Sequence, residues 1–361
     1  MRIELIKRPQ QSALFSAVSP LLALGLTVLA GFVIFSLLGK PPLEALYIYF
    51  VEPLSETWQL HELAIKAAPL IMIAVGLSVC YRSNNWNIGA EGQFILGGIA
   101  GSLIPILMPG FQNFLTLPLM LLFGFIGGAA MGAVPALLKT RFNTNEILTS
   151  LMLVYVAQLF LDWLARGVFR DPNGNNFPGS IRFPSAARLP EIIPSQGSAH
   201  LGIVLAVIAA AIVWVMMKYL LRGFEVKVLG GSPRAGRFAG FSSSRMVFFA
   251  FILSGGLAGL AGICEVSGAI GQLRETISPG YGFAAIIVAF LGRLNPLGAI
   301  AAGFVLALTY LGGEGAQMSL GISDKVARVF QGLLLFFVLG CDTLIHYRIR
   351  LVFGDPVKAQ G

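Results

Sequence analysis

Residues 63–80 read Leu-Ala-Ile-Lys-Ala-Ala-Pro-Leu-Ile-Met-Ile-Ala-Val-Gly-Leu-Ser-Val-Cys, with a single charge at Lys66. As an α-helix this stretch is about 27 Å long, close to the ~30 Å hydrocarbon core of a bilayer. Comparable apolar runs lie on either side of it, at about 20–38, 87–108, 115–138, 147–165, 201–221 and 245–267. A short run at 283–292 follows, then fuller ones at 297–312 and 326–344. Together they predict an all-α fold, a polytopic helical bundle of about ten segments in a cell (inner) membrane.

Composition agrees. Of 361 residues, 56% are hydrophobic and 12% charged, about half the charge of an ordinary soluble surface. Mean hydropathy is +0.80. A soluble enzyme, a disordered chain and a disulfide-stapled secreted domain are excluded, and the alternating pattern of an outer-membrane barrel is absent. The N-terminal apolar run is too long for the core of a signal peptide and is taken as the first span.

The loops orient the bundle. With the N-terminus inside and every segment crossing, 16 of the 25 basic residues fall on the inner side, among them Arg82, Lys139, Arg222, Lys227, Arg234, Arg237 and Arg293. Most acids, including Glu44, Glu62, Asp171, Glu191, Glu275 and Asp324, fall outside. That bias is the positive-inside signature and places both termini in the cytoplasm. The net charge of +8 is therefore topological and implies no nucleic-acid partner. Residues 1–345 form one transmembrane domain, with a cytoplasmic loop at 222–244, and 346–361 form a cytoplasmic tail. The outer loop at about 166–200 is rich in Pro, Asn, Gly and Ser and suits irregular turns.

Gly97/Gly101, Gly124/Gly128, Gly128/Gly132 and Gly255/Gly259 have the small-xxx-small spacing that lets helices approach closely in lipid. Cys80, Cys264 and Cys341 lie in or beside apolar runs without paired spacing and read as small core residues. His61, His200 and His346 are single and far apart, so no metal site is expected.

Two breaks interrupt the apolar pattern. The first, Ser83-Asn-Asn-Trp-Asn-Ile-Gly-Ala-Glu-Gly-Gln93, carries Glu91 and Gln93 into the membrane region. A carboxylate there costs several kcal/mol unless neutralised or turned to a polar cavity. Glu91 is open to two readings, a residue lining a path or an acid in the first turn of a helix favoured by its dipole. The second break, Ser278-Pro-Gly-Tyr-Gly-Phe283, precedes the short segment and Arg293-Leu-Asn-Pro296. Gly/Pro-interrupted segments in corresponding halves point to an inverted repeat and a transport pathway between the halves. Asn87, Glu91, Gln93, Tyr155 and Tyr281 are the candidate pathway residues. Asn145 with Glu146 reads as a helix cap.

Chemistry is absent from the pattern. There is no GxxxxGK[ST] loop, Gly39-Lys40 being followed by Pro41, so the chain is not its own ATPase. No GxSxG elbow and no selectivity-filter sequence is present.

The ordered motifs resemble a family. Asn87-Ile-Gly-Ala-Glu-Gly-Gln93, Asn145-Glu-Ile-Leu-Thr-Ser-Leu-Met152, Gly231-Ser-Pro-Arg-Ala-Gly-Arg-Phe-Ala-Gly240, Ser254-Gly-Gly-Leu-Ala-Gly-Leu-Ala-Gly262 with Glu265-Val-Ser-Gly268, and Gly282-Phe-Ala-Ala-Ile-Ile-Val-Ala-Phe-Leu-Gly292 with Asn295-Pro-Leu-Gly298 are similar to bacterial ABC-importer permeases. The superfamily is that of branched-chain amino acid and ribose permeases, and the subgroup that for nucleosides and simple sugars. The likeness runs over roughly residues 60–345. Val154 stands where the subgroup often has Asn, and Gly231-Ser232 replaces a more polar pair.

The resemblance implies a permease subunit with no enzymatic activity and no directly bound cofactor. ATP and Mg are expected on a cytosolic ABC ATPase. A second permease subunit, identical or homologous, and an extracytoplasmic solute-binding protein complete the assembly, with membrane lipid around it. Glu225 to Gly240, including Gly230, Pro233, Arg234 and Arg237, is the segment expected to couple to the ATPase. Its two arginines face either acids of that partner or lipid headgroups. The alternatives are an ion-coupled secondary transporter, or an ABC permease for another small polar solute such as an amino acid or pentose.

Overall fold

The computed structural model describes residues 2–7, 13–174, 177–192, 199–323 and 325–352. Asp324, Asn175, Asn176 and the tail beyond Val352, Lys358 included, lie outside the described residues.

The chain builds α1 (Ala13–Leu37), α2 (Pro42–Phe50), α3 (Thr57–Arg82), α4 (Ala90–Leu107), α5 (Thr116–Phe142), α6 (Glu146–Arg166) and α7 (Gly202–Tyr219). Then follow α8 (Leu221–Gly231), α9 (Pro233–Phe238), α10 (Ser243–Glu265), α11 (Tyr281–Leu291), α12 (Pro296–Leu320) and α13 (Lys325–His346). A π-helical turn, Val266–Ile270, extends α10. The polytopic helical bundle expected from the hydropathy is what forms. Among the described residues, seven helices (α3, α4, α5, α6, α7, α10 with its extension, and α12) are long and apolar enough to cross a bilayer, and Leu21–Leu37, Tyr281–Leu291 and Arg328–Cys341 are shorter apolar stretches.

One feature departs from an all-helical chain. Arg2–Lys7 (β1) and Tyr347–Val352 (β2) pair antiparallel, Arg2 opposite Val352 and Lys7 opposite Tyr347. Residues 2–7 and 347–352 therefore meet. Residues 347–352 of the expected cytoplasmic tail are thus a strand, and Arg2-Ile-Glu-Leu5 and Arg348-Ile-Arg-Leu351 alternate charged and apolar residues as a strand does.

The run that opened the sequence reading is the centre of the molecule. In α3, 89% of the most apolar stretch is buried, against 28% in α5 and in α6. A helix apolar on every side is stable where other helices surround it. Around α3 pack α7, α10, α11 and α12. The half-exposed apolar faces of α5 and α6 suit lipid or another membrane-embedded chain.

The second packing centre is α4–α5–α10. A Cβ on Gly97 would meet the Gly259 backbone, one on Gly128 the Gly255 carbonyl, and one on Gly259 the Gly124 carbonyl. One on Gly101 would strike Ile263, one on Gly124 Ile263, and one on Gly255 the Gly128 carbonyl. A Cβ on Gly132 would meet the Phe251 carbonyl, so all seven glycines of the small-xxx-small pairs lie at helix crossings, where the missing side chain lets backbones touch and gain dispersion contact.

Three elements escaped the sequence reading. The helix α2 follows a left-handed Gly39 (φ 68°) and has Pro42 in its first turn. The loop at 222–244 is a helical hairpin, α8 and α9, with Ser232 capping α9 through Ala235 N–H. The outer loop is pinned rather than free. Ser180 N–H donates to the Leu273 carbonyl (2.8 Å), Phe183 N–H to Gly271 (2.8 Å) and Leu189 N–H to Ser267 (3.1 Å).

Candidate functional site

The segment 83–89 leaves α3 and enters α4, and four helices hold it. Asn84 turns the chain at φ 56°, a left-handed conformation that Asn tolerates better than most residues. Lys139 at the end of α5 donates to Asn85 Oδ1 (2.9 Å) and to Glu146 Oε1 (2.6 Å), and Trp86 N–H donates weakly to the same Glu146 oxygen (3.5 Å). Asn145 caps α6 by accepting from Ile147 N–H (2.9 Å), which leaves Glu146 to join Lys139 across the α5–α6 turn. Gly89 and Gly92 lie against the backbone of α6 at Ser150 and Val154.

Within this segment the candidate amides bind each other. Asn87 Nδ2 donates to Gln93 Oε1 (2.9 Å) and to Ser254 Oγ (3.1 Å), and Gln93 Nε2 returns a bond to Asn87 Oδ1 (3.1 Å). Gly89 N–H also donates to Asn87 Oδ1 and the Tyr81 hydroxyl donates to the Asn87 carbonyl, both at 3.1 Å. Both side chains are buried. In this conformation they fasten α4 to α10 and present no free group to a solute. A buried amide pair satisfied in this way is stable where a lone one is not.

Glu91 does something different. Its carboxylate accepts from Gly282 N–H (2.6 Å), 191 residues away, and takes a further bond from the Ser278 hydroxyl. Ser278 Oγ in turn accepts from the N–H groups of Gly280 (3.1 Å) and Tyr281 (3.0 Å). The first turn of α11, whose N–H groups have no partner inside the helix, is therefore capped jointly by Ser278 and by a residue of α4. Eleven residues make α11 about 16 Å long, half a bilayer core. Its N-terminus thus starts inside the bundle, as the break at 278–283 suggests.

The carboxylate sits where two helices begin, α4 and α11, and the positive ends of both dipoles favour its charge. Glu91 is 4% exposed. Gly282 is obligatory here, since a Cβ on it would overlap the Glu91 backbone. Tyr281 is buried beside the junction, edge-on to Phe94 (6.2 Å) and to Tyr310 (5.5 Å).

Four of the five candidate pathway residues are buried in two contacts of α4, Asn87 and Gln93 where it meets α10 and Glu91 and Tyr281 where it meets α11. Tyr155 does not join them. It is 66% exposed on the outward face of α6. Ser254 and Ser278 complete these contacts and escaped the sequence reading. The Ser-Pro-Gly at 278–280 is the only signal for the second, and nothing local marks the first.

The α8–α9 hairpin is the other candidate surface. Glu225 pairs with Arg222 (2.8 Å) one turn before it, and Pro233 opens α9. A Cβ on Gly230 would overlap the Arg82 carbonyl, so α8 rests directly on the end of α3 where the 83–89 segment begins. Gly236 packs on Leu229, and Gly240 closes the hairpin at φ 84°. At the tip Arg234 and Arg237 line one depression with Phe238, which is 95% exposed.

On the opposite, loop-rich face, Arg166 pairs with Asp162 (2.6 Å) and with Glu275. Nearby, Phe177, Arg182, Gln272 and Arg274 line a polar depression of about 400 Å³. His200 is buried with its ring against Gly202 and Gly268. Its Nδ1 accepts from Gly202 N–H (3.1 Å), and burial pushes its pKa down to about 4.

Residues 59–339 match the family described as branched-chain amino acid transport system, permease component. The chain is 34% identical to the glucose ABC transporter permease protein TsgB13 of Haloferax volcanii, over 100% of this chain and 99% of that one. It is 26% identical to the nucleoside ABC transporter permease protein NupB of Lactococcus lactis, over 88% of this chain and 89% of that one. Among solved structures, a metal-chelate-type ABC transporter in an inward-facing conformation gives a TM-score of 0.46 at 15% identity, covering 89% of this chain and 99% of that one. With a family match over most of its length and a relative one-third identical from end to end, the chain belongs to the branched-chain amino acid transport system permease family, as a multi-pass membrane permease component and not an enzyme.

Proposed function

We propose that this chain is the membrane-embedded subunit of an ABC importer for nucleosides or simple sugars, moved by an ATPase on another chain. The solute class follows the named relatives, one for glucose and one for nucleosides. The observation that carries the mechanism is the α8–α9 hairpin. A phenylalanine almost wholly in solvent that shares a surface depression with two arginines is a residue that needs a partner, and the hairpin's base rests on Arg82.

A push on the hairpin reaches the end of α3, then the 83–89 segment, then the Glu91–Gly282 junction between α4 and α11. Such a chain of rigid contacts is the kind that converts a small displacement at one face into a helix shift at another. ATP and Mg²⁺ belong to the partner ATPase, and this chain binds no cofactor itself. A second permease, identical or homologous, sits against the half-exposed faces of the bundle, where Tyr155 is available to line the solute path. An extracytoplasmic binding protein delivers the solute to the loop-rich face.

The orientation that fits has both termini in the cytoplasm. The meeting of β1 and β2 and the gathering of Arg82, Lys139, Arg222 and Arg234 toward the hairpin end support it under the positive-inside rule. With the three shorter apolar stretches counted, α11 being a half-depth one, the bundle has about ten membrane segments. Residues 1–345 act as one permease unit with 346–361 as its tail. The two broken segments, α4 and α11, are the counterparts of an inverted repeat meeting at its centre.

Charge reversal tests the proposal. Arg234→Glu with Arg237→Glu, in cells expressing the whole transporter, is expected to lower ATPase co-purification and solute uptake at least tenfold while this chain still reaches the membrane. Unchanged association and uptake would remove the hairpin from the mechanism.

A further inference from the structure

We propose that Glu265 at the end of α10, with Lys66, Tyr281 and Tyr310 around it, binds the vicinal hydroxyls of the solute, the chemistry that glucose and ribonucleosides share. The proposal rests on the solute class given above and adds the residue that selects for it.

Glu265 is 8% exposed, and its Oε2 has no hydrogen-bond partner. A buried acceptor left unpaired is costly, and an ionisable residue inside a membrane span is as a rule a functional one. Four helices converge on it. Glu62 and Lys66 stand one turn apart on α3, and Tyr310 and Glu314 one turn apart on α12, so each pair shares a helix face. Lys66 donates to Glu314 (2.8 Å) and ties the two faces together. Lys66 and Glu62 are the charges that reach Glu265. Tyr281, at the start of α11, lies edge-on to Tyr310 (5.5 Å), and Glu265, Glu314 and Glu62 act electrostatically on its hydroxyl. Directly after Glu265 the chain enters the π-helical turn Val266–Ile270, a distortion frequent at functional sites.

The place is within the membrane and still accessible. Lys66 and Glu314 lie about 14 Å and about 9 Å from the nearer ends of α3 and α12. Both helices exceed the ~30 Å hydrocarbon core by less than about 10 Å, so the pair sits inside its depth. The Glu314 side chain is nevertheless 50% exposed and that of Lys66 16%. A charged pair at that depth faces a polar cavity and not lipid, so the site opens at Glu314.

The charges select the ligand. Glu62, Glu265 and Glu314 repel an anion, and the Lys66 ammonium repels a cation. Among the described residues no three His, Cys, Asp or Glu side chains gather as metal ligands do. A neutral molecule rich in hydroxyls fits. Its O–H groups donate to Glu265 Oε2, Lys66 has N–H donors beyond the one given to Glu314, and the two tyrosine rings pack on its apolar faces.

The complete transporter with its ATPase and binding protein, in proteoliposomes with ATP, is given adenosine against 2′,3′-dideoxyadenosine, and glucose against 2-deoxyglucose, as competing solutes. Each analogue lacks a vicinal hydroxyl of its parent. The binding protein is the same throughout, so its own preference cancels between wild type and variant. Glu265→Leu keeps the bulk of the side chain without its acceptor. It is expected to lose about tenfold of the preference for the parent, the worth of a hydrogen bond to a charged group. Thermal unfolding is expected to be unchanged or higher, since an unpartnered buried group is removed; a purely structural role would lower it. An unchanged preference in Glu265→Leu overturns the subsite. Wild-type uptake that requires sodium, with the requirement lost in the variant, also overturns it, because Glu265 is then a cation ligand. Uptake of neither parent by the wild type overturns the solute class and the subsite with it. Should Glu265→Leu not reach the membrane, Glu265→Gln decides: it keeps an acceptor without the charge, a loss of about threefold supports the subsite, and an unchanged preference overturns it.

Discussion

Replacing Glu91 by alanine removes the acceptor for the first turn of α11 while leaving the helix itself intact. The Gly282 N–H, bonded to the carboxylate at 2.6 Å, becomes a buried donor with no partner. An unsatisfied buried group costs about 1–3 kcal/mol. Loss of the charge also removes its interaction with two helix N-termini, worth about 0.3–1 kcal/mol each. The sum is about 2–5 kcal/mol, taken from local opening of α11 rather than from the whole bundle. Hydrogen exchange followed by mass spectrometry on the purified chain reads this directly. Amides in the peptide covering 280–291 are expected to exchange at least 30-fold faster than in the wild type, since 1.4 kcal/mol is tenfold. The apolar centre of α3 serves as the internal control and is expected not to change. Glu91→Gln keeps one acceptor and is expected to fall between the two. If the 280–291 amides of Glu91→Ala exchange within threefold of wild type in a folded chain, α11 is held by something other than this carboxylate.

Three further outcomes follow from single contacts. Gly97→Ala places a methyl on the Gly259 backbone and is expected to destabilise by about 1–3 kcal/mol through overpacking. Gly25→Ala, at a site with nothing within 4 Å of the added Cβ, is expected to be neutral or slightly stabilising by helix propensity, and thermal unfolding in detergent compares the two. His200 is held near pKa 4 by burial, below its unfolded value of about 6.5, so the unfolded chain binds the extra proton between those values. Stability is therefore full above about pH 6.5 and falls, by up to about 3 kcal/mol, as the pH drops toward 4. His200→Gln is expected to flatten that part of the unfolding profile.

Much of the bundle is legible in the sequence because lipid imposes one requirement on every span: about twenty apolar residues in a row. The central position of α3 is legible in the same way, since residues 67–80 carry no charged side chain on any face. The hairpin α8–α9 is not, because a six-residue helix leaves no periodic signal and is fixed by Gly230 against Arg82. The two breaks are visible as Gly- and Pro-rich stretches, but their meeting is not. Nothing near Glu91 reports that its partner is the Gly282 backbone, because a main-chain donor leaves no mark in the side-chain pattern. The amides of Asn87 and Gln93 show the same limit. Sequence marks them as polar groups in a membrane, and only the fold shows that each is the other's partner.

The central claim is that this chain is a passive path driven from outside itself. Its most direct test is counter-gradient uptake of labelled nucleoside or glucose into proteoliposomes. One set holds this chain alone, the other the chain with its permease partner, ATPase and binding protein, each with and without ATP. Accumulation is expected in the complete set with ATP and in no other. Uphill accumulation by the lone chain, driven by an ion gradient or by nothing added, would contradict the account.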